Sequence, residues 1–402
     1  MDFDDRIHRD LVEPYSNDAS ASSFGWNFQY AAGIFLFLNY ADDTTKVIME
    51  SEKQDIELVL FEDKHIYAQA KSAQDYTAIN ASNKNKKIKD ALISLINTFG
   101  KNSDGQFIYV SNIKGTITEE NDSINHVSSY TGFLQSSKDY ITTLFSEIKS
   151  KMKKNIEDIK NSDDKTERQK AKKIAEITLQ ISNLDSFDFN KFSVLTIVPF
   201  GGPDTNRYQK IKDTLIDFLI NKLKIDYYKA ISVCSRYIDF LRYQFEESAG
   251  EPNTSFKKTL DTASLVWPVV SYLAFDFDND VDKIEGIIDF SIDENIRNES
   301  QKILKDEDLF LYHQRFSFSN SLIQKYREFK ESNPKTKEPD FAFVKNNWEN
   351  YKDEFTTAEF NESNPGSAIF EVVVKFTLLK ILSVNSDITK VSSWLGAKRY
   401  GD

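Results

Sequence analysis

The chain has 402 residues, 40% hydrophobic, 13% aromatic and 28% charged, with only 13 glycines and 8 prolines. This is the make-up of an ordered, largely helical globular protein too long for one compact core, so two domains are expected and disorder should be only local. A net charge of −12 argues against bulk electrostatic coating of nucleic acid, which needs Lys and Arg to neutralise phosphates; an enzyme with an acidic centre and a local basic strip is still allowed.

A single cysteine, Cys234, leaves no internal disulfide, and the 4 histidines give no zinc spacing, so any metal must sit on oxygen ligands. No apolar run reaches the roughly 18 to 20 residues that span a bilayer. The acidic start Met1-Asp2-Phe3-Asp4-Asp5 is unlike a secretory signal. A cytoplasmic location without membrane contact is expected.

In chain order, the polar stretch up to about residue 23 reads as a mobile arm. Residues 24–40 are apolar on nearly every side, which predicts a helix buried around most of its circumference, with Gly33 marking a close crossing. Three short runs at 46–50, 54–61 and 65–72 are rich in Val, Ile and Leu and predict strands. Residues 84–99 carry Ile88, Leu92, Leu95, Ile96 and Phe99 at helical spacing before Gly100, and 106–110 predicts another strand. The order is α-β-β-β-α-β.

A Lys-rich charged stretch at about 137–183, broken near Asn161, predicts a helical hairpin inserted in and projecting from this core. A buried strand follows at 192–200, then a helix at 208–223. The first domain is therefore placed at 1–225. The remainder, 226–402, is mainly helical by pattern, with helices at 227–247, 256–272, 320–331, 341–355 and 370–382, and breaks at Gly250, Pro334 and Pro365.

The chemistry concentrates between Glu50 and Ser72. A loop at Glu62-Asp63-Lys64 sets Glu57 across from Gln69 and Asp55 across from Lys71, and period-two alternation gathers all four on one face of the hairpin. Ile56, Leu58, Leu60, Ile66, Ala68 and Ala70 take the other. Two carboxylates, an amide and an ammonium suit phosphodiester hydrolysis with Mg²⁺ or Mn²⁺. Asp55 is the expected primary metal ligand, Gln69 and the Ala70 carbonyl further oxygen ligands, and Lys71 the group that orients water or meets phosphate charge. A solvated face with an ordinary Asp55–Lys71 pair, worth about 0.2 to 1 kcal/mol, accounts for the same pattern. The residues alone do not choose.

The stretch Phe24-Gly25-Trp26-Asn27-Phe28-Gln29-Tyr30, then Glu50 and Asp55, then Tyr67-Ala68-Gln69-Ala70-Lys71-Ser72, resembles the N-terminal PD-(D/E)xK nuclease domain of bacterial anti-phage effectors. That domain is shared by CBASS-associated endonucleases, the Lamassu nuclease subunit and HerA-associated nucleases. The resemblance covers roughly residues 20 to 112. It implies a restriction-endonuclease-like α/β fold and a site of Gln29, Glu50, Asp55, Gln69 and Lys71, and leaves Glu57 without a role.

Lys84, Lys86, Lys87 and Lys89 could meet DNA phosphates or simply form a solvated helix face. His313 reads as a half-buried structural histidine, and Trp267 and Trp348 as core. No phosphate loop, nucleophile elbow or dinucleotide fingerprint occurs, so ATP-driven work needs a partner. The expectation is a nuclease effector acting on DNA with a separate ATPase or sensor, SMC-like or HerA-like. The alternative is a non-catalytic scaffold or nucleic-acid-binding subunit with a degenerate nuclease fold. The region after about residue 225, where Tyr228, Ile231, Tyr237, Phe240, Leu241 and Phe245 share one helix, is the expected partner-binding and restraining part. Assembly into an oligomer is left open.

Overall fold

The computed structural model describes residues 17–51, 53–74, 81–113, 127–162, 166–188, 191–197, 200, 208–249, 259–275, 281–304, 315–355 and 366–400. Two compact units emerge. One comprises Met1–Thr214 with Leu241–Thr262, the other Leu215–Phe240 with Ala263–Asp402. A single cut near 225 therefore does not divide the chain, because a later segment returns to the first unit.

The first unit is a mixed α/β layer structure. Helix α1 (Asn17–Asn39) is followed by strands β1 (Thr44–Met49), β2 (Ile56–Leu60) and β3 (His65–Lys71), helix α2 (Ala81–Phe99) and strand β4 (Gln106–Ser111). Next come β5 (Val127–Ser129), the long helices α3 (Tyr130–Lys160) and α4 (Glu167–Ser186), and β6 (Phe192–Thr196). A two-residue strand, β7 (Leu260–Asp261), completes a seven-stranded sheet of order β5-β6-β4-β3-β2-β1-β7. β1, β2 and β3 run antiparallel in sequence, while β3, β4 and β6 are parallel.

Helix α1 begins at Asn17, earlier than the expected Phe24; Asn17, Asp18 and Ser20 are residue types that suit a helix's first turn. The rest of the proposed mobile arm, residues 1–16, lies outside the described residues. From Ala31 to Leu38 every residue of α1 except Gly33 is a buried apolar side chain. Gly33 is a close crossing: a Cβ there would come within 2.9 Å of both Met49 Sδ and the Phe245 ring. Phe24 and Phe28 pack edge-on against Phe200 at 5.5 and 5.0 Å.

The opposite face of the sheet carries Tyr67, Phe107 and Tyr109, covered by Ile88, Leu92, Leu95 and Phe99 of α2. The α3/α4 hairpin is not a free projection. Leu144, Phe145, Ile148 and Met152 of α3 and Leu184 of α4, with Phe187 just after it, join this same core. The distal part, including Lys153, Lys154, Lys172 and Lys173, is solvent-exposed. The capping box of Thr166 and Gln169 starts α4.

The second unit is mostly helical. Helix α5 (Gln209–Asp217) begins in the first unit, enters this one at Leu215 and passes into a π-helical turn at Phe218–Lys222, and α6 (Tyr227–Ala249) starts in this unit and ends in the first. Short helices α7 (Thr262–Val266) and α8 (Pro268–Phe275), then α9 (Glu294–Leu304), α10 (Arg315–Ser332) and α11 (Pro339–Asn347), precede α12 (Ser367–Ser383) and α13 (Asn385–Tyr400). Thus the helix expected at 256–272 is instead β7 with two short helices. α13 was not anticipated at all.

Helix α12 is the centre of this unit: Val372 to Leu382 are all buried, with α8, α9 and α11 packed against it. Its buried Lys375 donates to the Ile287 carbonyl at 2.6 Å and to Glu371 at 2.5 Å, as a buried ammonium must. Burial pulls the Lys380 ammonium down to about 8. Asp387, 1% exposed, sits between Lys229 at 2.7 Å and Lys390 at 3.1 Å. No helix among the described residues is long and apolar enough to cross a membrane.

Candidate active site

The β1–β2 ladder ends at the pair Met49↔Ile56, and the residues just beyond it are Glu50 and Asp55. The connection is closed by the Glu50 N–H donating to the Asp55 carbonyl at 2.8 Å. Glu50 adopts a positive φ of 48°, a left-handed conformation that only a tight turn imposes on a side-chain-bearing residue. Inside the loop, the Ser51 hydroxyl accepts from Lys53 N and Gln54 N. Gln54 is buried and donates to Ser94 at 3.1 Å and Thr98 at 2.8 Å on α2. A loop that must be polar is thereby fixed to the helix as firmly as an apolar contact would fix it.

Four of the five expected site residues converge here. Gln29 on α1 is buried and donates through Nε2 to Glu50 Oε1 and, at 3.3 Å, to the Asp55 carbonyl. Gln69 on β3 donates through Nε2 to Asp55 Oδ2, which also accepts from Ala70 N at 2.9 Å. N–H and C=O of one extended residue point to the same strand edge, so the Ala70 carbonyl lies on the Asp55 side. Lys71, the fifth residue, is within electrostatic reach of Asp55. Among the described residues Asp55 has no ion-pair partner; its direct contacts are neutral donors.

The electrostatics follow from this. Burial raises the Asp55 carboxyl above the usual carboxylate range, the Lys71 ammonium and the Ala70 N–H oppose the rise, and Glu50 adds to it. Two half-buried carboxylates side by side, met by neutral amides, attract a cation more strongly than a fully solvated pair would. Oxygen ligands in this number suit Mg²⁺ or Mn²⁺, which retain water in the remaining positions. Among the described residues no cluster of three or more His, Cys, Asp or Glu side chains exists, so such an ion would rely on Glu50, Asp55 and uncharged oxygens.

The hairpin register differs from the expected one by two residues. Glu57 stands opposite Tyr67, and Val59 opposite His65. The turn is Phe61–Asp63, closed by Leu60 N donating to the Lys64 carbonyl at 2.8 Å, with Glu62 and Asp63 at positive φ of 59° and 54°. Because the shift is even, the expected residues keep their face, but Glu57 moves away from Gln69. It is buried, 3.3 Å from Lys53 Nζ and 3.0 Å from His65 Nδ1. Lys53 also donates to the Tyr67 hydroxyl at 3.2 Å. Glu57 belongs to this structural cluster.

The lysine cluster of α2 does not act as one surface. Lys89 is paired with Glu147 of α3, and the Lys84 side chain lies outside the described residues. Lys86 is exposed. Lys87 is half-buried, and burial first and the neighbouring Lys71 second pull its ammonium below the usual lysine range. His313 also lies outside the described residues. Trp267 is buried, and Trp348 receives the Lys375 ammonium 5.2 Å from its ring centroid.

Gln54 and Asn112 were not anticipated. Asn112 is fully buried; its side chain donates to the carbonyls of Ala73 and Phe200 at 2.8 and 2.7 Å and accepts from Ala73 N at 2.9 Å. It fixes the chain two residues past Lys71 and holds Phe200 against α1, the helix that delivers Gln29. A lone Asn after a strand carries no sequence signal for this. No family model, no curated protein and no solved structure matches the chain.

Proposed function

We propose that the chain is a divalent-metal-dependent DNA endonuclease of the PD-(D/E)xK type, the effector subunit of a bacterial anti-phage defence complex. The supporting observation is the junction of Gln29, Glu50, Asp55 and Gln69 from three separate segments, helix α1, the β1–β2 connection and β3, with Lys71 at its edge. A merely solvated hairpin face gives no reason for α1 to send a buried glutamine to Glu50. The resemblance to anti-phage nucleases supplies the defence setting and the separate ATPase or sensor, SMC-like or HerA-like.

Glu50, Asp55, the Gln69 amide and the Ala70 carbonyl would hold the ion, whose chemistry is to polarise a phosphate oxygen and acidify a water. Gln29 orients the Glu50 carboxylate and the Asp55 main chain together. Lys71 meets the negative charge that grows on the phosphate in the transition state. Lys87, its positive neighbour, extends that field along the substrate backbone.

The test is incubation of supercoiled plasmid with full-length protein in Mg²⁺, Mn²⁺ or EDTA, with and without the product of the adjacent ATPase gene. Metal-dependent nicking or linearisation that Asp55→Asn abolishes is the expected result. DNA binding without cleavage under every condition would replace the enzyme with the non-catalytic scaffold.

A further inference from the structure

Helix α1 brings more to the site than Gln29. Three residues before it stands Trp26, 41% exposed, on a helix that is buried from Ala31 to Leu38. Tyr30 follows one turn later on the same face, with ring centroids 6.3 Å apart and planes tilted by 32°. Tyr30 is half-buried, and its hydroxyl lies in the field of two carboxylates, Glu246 and Glu50. Glu50 is the same carboxylate that accepts from Gln29. The aromatic pair therefore runs from solvent to the acidic centre.

The charge around this pair restricts what it can accept. Glu246 and Glu50 repel a phosphate, whereas the lysines near the site, Lys71 and Lys87, come from β3 and from α2. A flat, uncharged π-surface fits an indole that is open on one side, and stacking tolerates every base. In an intact duplex both faces of each base are already covered by neighbours, so only an unstacked base can lie on Trp26.

We propose that Trp26 and Tyr30 form a stacking platform for an unpaired nucleobase, so that the substrate is single-stranded or locally unpaired DNA. This substrate class rests on the nuclease reading above. It predicts that Trp26 contributes affinity through the base and nothing through the backbone.

The experiment uses full-length wild type, Trp26→Ala and Trp26→Phe. Binding of a labelled single-stranded oligonucleotide, its abasic counterpart and the matching duplex is followed by fluorescence anisotropy in Ca²⁺, and cleavage of the same strands is followed in Mg²⁺ and Mn²⁺. Trp26→Ala should weaken binding of the normal single strand about tenfold, Trp26→Phe should restore most of it, and both should bind the abasic strand like wild type. Equal losses on normal and abasic strands, or none on either, would overturn the platform while metal-dependent cleavage by wild type left the nuclease reading standing. Base-dependent loss without any cleavage supports the platform and overturns the nuclease. A wild type that binds no oligonucleotide overturns both.

Discussion

Two carboxylates, the buried Asp387 of one unit and the half-buried Asp55 of the other, are treated in opposite ways. Asp387 of the second unit lies between two ammonium groups, at 2.7 and 3.1 Å. Asp55 of the first unit is met by an amide and a backbone N–H, has Glu50 as a neighbour, and feels Lys71 only through space. The first arrangement is complete as it stands. The second retains unbalanced negative charge in a desolvated position, which costs stability unless a cation arrives. The contrast separates a carboxylate whose charge is balanced by two ammonium groups from one whose charge is left without an ion-pair partner among the described residues.

The largest expected effect comes from removing the charge at each place. Asp55→Asn and Lys71→Ala should lower plasmid cleavage by at least about a hundredfold, because neither ion binding nor phosphate stabilisation survives. Asp55→Asn should also be no less stable than wild type at neutral pH. Since the folded-state pKa is raised, the stability contributed by wild-type Asp55 is greatest below its unfolded value and is lost as pH rises through the folded one. The melting advantage of Asp55→Asn should therefore grow from acid towards neutral pH. Equal melting differences at pH 4 and pH 8 would contradict it.

Asp387→Asn should do the reverse, leaving cleavage intact while costing about 1.5 to 3 kcal/mol in a urea titration, as Lys229 and Lys390 lose their shared acceptor. A third measurement joins the two. Millimolar Mg²⁺ or Mn²⁺ should raise the Tm of wild type and of Asp387→Asn by similar amounts and leave Asp55→Asn unmoved, since only a folded state that binds the ion is stabilised by it. A shift in all three proteins would mean that the ion binds elsewhere. The smallest effects concern α2. Lys87→Gln should weaken DNA binding and flatten its salt dependence by about one phosphate contact, whereas Lys89→Gln should change neither and cost at most about 1 kcal/mol through the lost Glu147 pair.

The α-β-β-β-α-β order was legible because α1 is a long apolar run, the strands are short runs rich in Val, Ile and Leu, and α2 carries a clean helical period in Leu92, Leu95 and Phe99. The residues that meet at the site were legible mainly through the resemblance; spacing alone gave no reason to join Gln29 to Glu50. The hairpin register was missed by two residues because Glu62 and Asp63 take positive φ, and neither is a residue type that announces it. Glu57 was misplaced for the same reason. Gln54 and Asn112 position the site through hydrogen bonds to distant segments, information that a polar residue in a loop does not display. Tyr237, Leu241 and Phe245, expected to serve an interface, are buried, whereas Tyr228 and Ile231 of the same helix are exposed.

The return of Leu241–Thr262 to the first unit has a consequence for heredity. Phe245 closes on Gly33, Ser248 accepts from Met49 N at 3.4 Å, and Leu260 pairs with Val47, so the first unit is not encoded by one uninterrupted stretch of gene. A single recombination event near codon 225 would deliver a first unit missing part of its own packing. Exchanging the helical unit alone requires three breakpoints, near 214, 240 and 262, and a donor whose helix matches in phase the part of α6 that carries residues 241–249 back. Lineages that trade this unit should therefore do so rarely, and with the intervening helix included.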